Sequence, residues 1–111
     1  MLKFTSDEQK WLDAYHKLLD EQFPSLVETL LIYGSKARGE AGPDSDLDVL
    51  VVLREGDRET KRQIRYIGHR LAVMSEVVPS IMVYTREEWS ARKEAGSTFY
   101  LAVTRDAVRI A

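Results

Sequence analysis

Two aspartates, Asp46 and Asp48, stand at the start of an apolar run that ends at Leu53. Side chains of a strand alternate between its two faces, so both carboxylates are predicted to project from one side of a sheet. Two neighbouring carboxylates repel each other unless a cation lies between them. The usual cation is a hard divalent ion, most often Mg²⁺ with a nucleoside triphosphate attached. The pair therefore indicates phosphoryl- or nucleotidyl-transfer chemistry.

A Gly-Ser corner precedes the aspartates and could form the other half of such a site. Gly34 has no Cβ, so the backbone can bend sharply there and a phosphate can approach it closely. If Ser35 begins a helix, the free N–H groups of the first turn and the helix dipole favour an anion, and the hydroxyl adds a donor. Arg38 follows three residues later, near the same helix face, where it could reach a phosphate or brace an acidic residue.

Each of these features has an ordinary structural explanation when it is taken alone. A Gly-Ser dipeptide after a strand is usually a turn, and an Asp-x-Asp is usually a solvated strand end. A single arginine such as Arg38 is usually part of a surface salt bridge. Their occurrence together, in this order and at this spacing, favours one functional constellation.

The two motifs resemble the signature of a known family. Residues 33–39 read YGSKARG and residues 45–51 read SDLDVLV, as in the minimal nucleotidyltransferases of the DNA polymerase β-like superfamily. The order of later elements extends the resemblance over most of residues 26–111. It implies an α+β (α/β) nucleotidyltransferase fold, a small mixed β-sheet flanked by helices. It also implies that Gly34 and Ser35 hold the triphosphate with Arg38 as a supporting cation, while Asp46 and Asp48 bind Mg²⁺.

The family's third acidic residue, on a later strand, is where this sequence departs from the pattern. Residues 77–84 read VVPSIMVY, which places Ser80 at the expected position. A neutral hydroxyl is a weak metal ligand and a poor general base. Glu76 could substitute if the backbone bends at Pro79, although a solvated glutamate at a helix end is the simpler interpretation. Nucleotide binding is therefore better supported than turnover.

The resemblance implies transfer of AMP from ATP to an acceptor hydroxyl, with pyrophosphate as the leaving group. Because the chain is too short for the acceptor-binding domains of larger relatives, we expect a partner to bring the acceptor. Minimal nucleotidyltransferases are often paired with a HEPN-domain toxin, and as antitoxins they modify a tyrosine of that toxin. Two alternatives stay open. One is a catalytically weak nucleotide-binding module that neutralises its partner by binding, and the other is nucleotidylation of a small molecule.

Composition sets the outer bounds. With 111 residues and 44% hydrophobic content, the chain is predicted to form one domain over 1–111, with an N-terminal helix in 1–24 and a core in 26–111. The absence of cysteine excludes disulfides and cysteine-based zinc sites. No apolar stretch has the length of a membrane span and no signal pattern is present, so a cytoplasmic protein is expected. The net charge of −2 argues against a dedicated nucleic-acid binder.

The coarse pattern predicts helices and strands that would position the two motifs. A capping box at 6–9 begins a helix that ends near 23, and Gly39 followed by Gly42-Pro43 ends the short Ser35 helix. Strands are expected at 26–33, 46–53, 77–84 and 108–110, and further helices at 57–75, 85–95 and 98–105. The helix at 57–75 has a core stripe and a basic stripe, which is either a solvated face or a docking surface for an acidic partner. The core stripe consists of Ile64, Ile67, Leu71 and Met74, and the basic one of Arg58, Arg62, Arg65 and His69. Met82 is also expected in the core.

Overall fold

The computed structural model describes residues 4–39 and 46–111. Helices and strands alternate along most of the chain, as the sequence pattern predicts. In order they are α1 (Ser6–Gln22), β1 (Val27–Tyr33), α2 (Gly34–Arg38), β2 (Leu47–Leu53), α3 (Arg58–Ala72), β3 (Pro79–Thr85), α4 (Arg86–Glu94), α5 (Thr98–Asp106) and β4 (Val108–Arg109). The predicted turn at Gly42-Pro43 and the motif residue Ser45 lie outside the described residues.

The four strands form one mixed sheet in the order β3-β2-β1-β4. β1 is antiparallel to both of its neighbours, while β2 and β3 are parallel and joined by the crossover helix α3. Helices cover both faces of this sheet, so the predicted α+β class is confirmed. The register sets Asp48 beside Tyr33 on one side and Ser80 on the other.

Helices α1 and α3 pack on one face of the sheet, which we call the α1–α3 face. Alternate residues of β1 and β2 point into this layer, as period-2 alternation requires. Two side-chain hydrogen bonds tie the helices together: Trp11 Nε1 donates to the carbonyl of Gly68 over 2.9 Å, and Tyr15 Oη donates to that of Ile64 over 2.8 Å. The buried strand residues of this face include Leu30, Ile32, Leu47, Val49, Val51, Leu53, Ile81 and Val83.

The opposite face, which we call the α4–α5 face, has a smaller core. Its buried residues are Leu31, Leu50, Val52 and Val103. Half-buried aromatic side chains surround them and contact one another at ring-centroid distances of 4.9–6.3 Å. These are Tyr33, Tyr84, Trp89, Phe99 and Tyr100. Asp48 belongs to this face, because Leu50 and Val52 share its parity along β2.

The predicted capping box at 6–9 is wrong by one residue, because the structure has it at 5–8. Thr5, in an extended conformation, is the N-cap of α1: its side chain accepts from the backbone N–H of Glu8, whose carboxylate accepts from the backbone N–H of Thr5. Thr and Ser are both strong N-caps, so the sequence left two registers open. Gly39, by contrast, ends α2 as predicted, in the left-handed region at φ 77°.

Two methionines expected in the core are exposed. Met74 is 94% exposed because α3 ends at Ala72, before the helical stripe reaches it. Met82 lies on β3, at the edge of the sheet, with Asp48's parity rather than that of the large core, and it is 39% exposed. Within residues 4–39 and 46–111, no helix has both the length and the apolar content that crossing a membrane requires.

Candidate functional site

Gly34 and Asp48 meet where β1 turns into α2. Gly34 has φ +76°, in the left-handed region that side chains with a Cβ rarely adopt. A Cβ added there would collide with Oδ2 of Asp48. The glycine backbone therefore lies directly against the aspartate carboxylate, and the structure brings the two predicted halves of the site together. Ser35, the second residue of α2, is half-buried beside them.

The charge of the aspartate pair is only partly compensated. Asp48 is half-buried in β2, and Asp46 is exposed immediately before the strand begins. Burial raises the pKa of Asp48, and the negative charge of Asp46 raises it further. The Arg38 guanidinium lowers this pKa, but the net shift is upward. An additional positive charge near these two carboxylates would therefore be electrostatically favourable.

Arg38 performs the second of its two predicted roles, bracing an acidic residue. Its Nη1 donates to Oδ2 of Asp106 over 2.9 Å, which joins α2 to the end of α5. Arg105 and Arg38 together hold the pKa of Asp106 below its usual range. Asp106 was not among the candidate residues. It lies 68 positions from Arg38 in sequence, and only the packing of α5 brings the two together.

Tyr33 is a second residue that the motif reasoning did not assign to the site. It pairs with Asp48 across the strands, and its ring makes an edge-to-face contact with Phe99 at 5.7 Å. Burial, followed by the charge of Asp48, raises the pKa of Tyr33 to about 12. The phenol therefore stays protonated at neutral pH, as an aromatic wall that can donate a hydrogen bond. The sequence feature that could have assigned Tyr33 to the site is its position immediately before Gly34.

Ser80 and Glu76, the two candidates for the third ligand, lie in different surroundings. Ser80 is in direct parallel register with Asp48, so both side chains project from the same face of adjacent strands. Glu76 lies in the connection between α3 and β3, where it lines a cavity with Asp7 and Lys10 of α1. In the part of the chain that the structure describes, no three His, Asp or Glu side chains form a group that could hold a metal ion.

The donors at the corner fit a magnesium ion that arrives with a nucleotide. Mg²⁺ is typically bound through one or two carboxylates together with substrate phosphates and water, rather than by a full set of protein ligands. Asp46 and Asp48 provide the carboxylates, and the upward pKa shift of Asp48 reflects negative charge that a cation would relieve. The missing Cβ at Gly34 lets the backbone lie directly against Asp48 Oδ2, so the first residues of α2 stand beside the aspartate carboxylate.

A small mixed sheet with a Gly-Ser corner packed against an Asp-x-Asp strand defines the nucleotidyltransferase class. The family model described as the nucleotidyltransferase domain matches residues 12–99. The match covers most of the sequence, and the chain belongs to this family. A sequence search of curated proteins found no match.

Solved structures share the fold at low sequence identity. A candidate nucleotidyltransferase from Sulfolobus solfataricus is 20% identical, with a TM-score of 0.51 over 98% of this chain and 89% of that one. A mutant of the MntA-HpeT toxin-antitoxin is 16% identical, with a TM-score of 0.56 over 98% and 73%. A toxin-antitoxin solved with AMP-PNP is 14% identical, with a TM-score of 0.57 over 95% and 72%. At these identities the likeness establishes a common fold.

Proposed function

We propose that the protein is a Mg²⁺-dependent nucleotidyltransferase that moves AMP from ATP to a hydroxyl of a partner protein. The observation that carries this proposal is the direct packing of the left-handed Gly34 backbone against the carboxylate of Asp48. The biological role we propose is that of the antitoxin in a pair with a HEPN-domain toxin. Structural neighbours that are toxin–antitoxin complexes, one of them with AMP-PNP, support the partner and the nucleotide.

In the proposed reaction, the acceptor oxygen bonds to the α-phosphorus of ATP while the bond to the α–β bridging oxygen breaks. Pyrophosphate leaves with the bridging electron pair, and the acceptor proton passes to solvent. Asp46 and Asp48 would hold Mg²⁺, which neutralises phosphate charge and stabilises the leaving group when it is bound. Gly34, which has no side chain, would let the triphosphate approach the backbone at the start of α2, and the Ser35 hydroxyl would donate a hydrogen bond to it.

Two further residues would prepare the corner for this substrate. The guanidinium of Arg38 is held by Asp106 at a position from which its charge acts on Asp48. It would therefore not need to move when the nucleotide binds. Tyr33 and its contact with Phe99 form an apolar wall beside Asp48, which limits the access of water. Both features reduce the reorganisation that binding would otherwise require.

Ser80 favours a second candidate function, a nucleotide-binding module that neutralises its partner by binding, with weak catalysis or none. Its hydroxyl stands where a carboxylate would face Asp48 across the parallel strands. A general base typically accelerates such a step by about 10²–10⁴-fold, so its absence leaves nucleotide binding intact and slows transfer.

A transfer assay separates the two candidates. Radiolabelled AMP transfer from ATP to a HEPN-domain partner would be followed for wild type, Ser80→Asp and Glu76→Gln. Ser90→Asp is the matched control, since it adds the same charge at an exposed position of α4. We expect slow transfer by wild type, faster transfer by Ser80→Asp provided that a second Mg²⁺ absorbs the added charge, and no change in Ser90→Asp.

The other outcomes have distinct meanings. Fast wild-type transfer that collapses in Glu76→Gln would assign the third carboxylate to Glu76. Fast transfer that neither substitution changes would mean that two aspartates suffice. Bound ATP without transfer, in wild type and in Ser80→Asp, would favour the binding module.

A further inference from the structure

A buried ion pair joins α2, which begins at the Gly-Ser corner, to the first turn of α1. Lys36, the residue after Ser35, is 4% exposed, and Glu8 in the first turn of α1 is 5% exposed. The Lys36 ammonium lies 3.2 Å from Oε1 and 3.1 Å from Oε2 of Glu8. The same carboxylate accepts the backbone N–H of Thr5 over 2.9 Å, so it also caps α1.

Helix α2 is short, and charged side chains anchor it to two other helices. It contains five residues, and Ala37 is the only apolar side chain among its buried residues. Lys36 connects it to α1 on one side, and Arg38 connects it to α5 on the other. Rotation of this short helix would move Gly34 away from Asp48, because Gly34 is its first residue.

Burying two charges is an expensive way to gain stability alone. An apolar pair of similar volume often stabilises a core equally well, whereas an ion pair is satisfied in a narrow range of orientations. Lys36 and Glu8 are 28 residues apart in sequence, so their contact restrains tertiary arrangement rather than local helix formation.

We propose that the Lys36–Glu8 pair positions α2, so that Gly34 and Ser35 are held in their nucleotide-binding orientation against Asp48. Both are positioning residues, and they act on the nucleotide through the backbone of α2. This inference rests on the proposed function, since it assumes that the corner receives a nucleotide. Loss of the pair should weaken binding because displacements on the order of 1 Å can cost about 10²-fold in a preorganised site.

The test compares nucleotide affinity with folding stability. Calorimetry would measure the Kd of Mg²⁺ with α,β-methylene ATP, whose α–β bridge resists cleavage, for wild type, Glu8→Gln, Lys36→Met and Glu8→Leu/Lys36→Met. Circular dichroism fixes a temperature at which every variant is folded. Glu8→Gln is the mildest change because glutamine can still accept from Thr5, and it serves alone if the others do not fold.

Two controls separate positioning from general destabilisation. Lys61→Met removes a lysine from the more exposed pair with Glu88, which joins α3 to α4 and does not contact α2. Tyr15→Phe removes a buried hydrogen bond within the α1–α3 layer. Both controls should bind nucleotide as wild type does, although Tyr15→Phe should be less stable.

We expect Kd to rise about tenfold or more in Glu8→Gln and Lys36→Met, since a displacement on the order of 1 Å in a preorganised site can cost about 10²-fold. In Glu8→Leu/Lys36→Met, thermal stability should recover toward wild type while Kd stays high. Unchanged Kd in the single variants would overturn the inference. Recovery of Kd together with stability in the double variant would also overturn it, because the pair would then be only structural.

A nucleotide-free measurement keeps this inference separate from the proposed function. In ¹H–¹⁵N spectra, Glu8→Gln should shift the amide resonances of Gly34 and Ser35, although Glu8 is distant in sequence. Absence of wild-type binding together with these shifts would contradict the proposed function and leave the positioning role standing. Unshifted amides would contradict the positioning role itself.

Discussion

The two faces of the sheet differ in how completely their polar groups are satisfied. On the α1–α3 face, the buried side chains of Trp11, Tyr15, Glu8 and Lys36 all have hydrogen-bond partners within the chain. On the α4–α5 face, the pKa of Asp48 is raised by burial and by Asp46 despite the presence of Arg38. One face is satisfied by its own chain, and the other retains negative charge for which a cation would be the natural partner.

Because of this difference, residues of one strand that point to opposite faces are expected to contribute to different properties, one set to stability and the other to nucleotide binding. Successive residues of β2 alternate between a fully packed layer and the layer that contains Asp48. Substitutions of apolar residues in the first layer, as distinct from the Lys36–Glu8 pair, should therefore change the free energy of unfolding and leave nucleotide affinity unchanged. Substitutions at the corner should have the opposite profile, apart from those that strain the backbone.

The largest change in stability is expected from Leu12→Ala on the α1–α3 face. Leu12 is completely buried, so truncation leaves a cavity and should cost about 2–5 kcal/mol in the free energy of unfolding. Urea denaturation measures this cost, and nucleotide affinity at a temperature where the variant is folded should match wild type. Leu101→Ala, at a 58% exposed position of α5, is the control and should stay within about 0.5 kcal/mol. A loss of nucleotide affinity in folded Leu12→Ala would show that the α1–α3 layer contributes to nucleotide binding as well as to stability.

Gly34→Val should affect both properties. The left-handed backbone strains any residue with a Cβ, at about 1–3 kcal/mol, and the added atoms collide with the Asp48 carboxylate. We expect nucleotide binding to be lost in calorimetry. Ser35→Ala removes one hydrogen bond, worth about 0.5–3 kcal/mol, and should weaken binding less. Normal binding by a folded Gly34→Val would show that the phosphate does not lie at this corner.

Asp48→Asn should keep or slightly raise the stability of the nucleotide-free protein while it weakens nucleotide binding. Removing a carboxylate that burial and Asp46 disfavour should leave the nucleotide-free protein as stable as wild type, or more stable by less than about 1 kcal/mol. Magnesium-dependent nucleotide binding should be abolished. Thermal unfolding in EDTA gives the first quantity and calorimetry the second. A clear destabilisation in EDTA would mean that the carboxylate is satisfied within the chain.

The smallest effect is expected at the exposed pair that links α3 to α4. Hydrogen bonding from Lys61, with a further contribution from Thr85, lowers the pKa of Glu88. A carboxyl group whose pKa is lower in the folded protein stabilises the fold at pH values above its pKa in the unfolded chain, about 4.3. This stabilisation is lost as the pH falls through the pKa of the folded protein. Glu88→Gln should therefore cost under about 1 kcal/mol at pH 7 and match wild type at pH 2, with Glu87→Gln as the control. A cost that persists in acid would exclude the ion pair as its cause.

The fold and the close approach of Gly34 to Asp48 could be predicted from the sequence, because both follow largely from local preferences. The Gly34 turn and the parity of Asp48 follow from backbone preference and period-2 alternation. The contacts of Arg38 with Asp106 and of Lys36 with Glu8 could not be predicted, because each joins helices distant in sequence. The prediction that Met74 lies in the core was wrong although it rested on local information. Met74 continues the helical spacing of the core stripe, but α3 ends before reaching it.

Calorimetry tests whether the corner of Gly34, Asp46 and Asp48 binds a nucleotide through a divalent ion. ATP would be titrated into the protein with Mg²⁺, with EDTA, and with Mg²⁺ after Asp46→Asn/Asp48→Asn. We expect measurable binding in the first titration and its loss in the other two. Equal affinity in all three would contradict this expectation, because the aspartate pair would then have no part in binding the nucleotide.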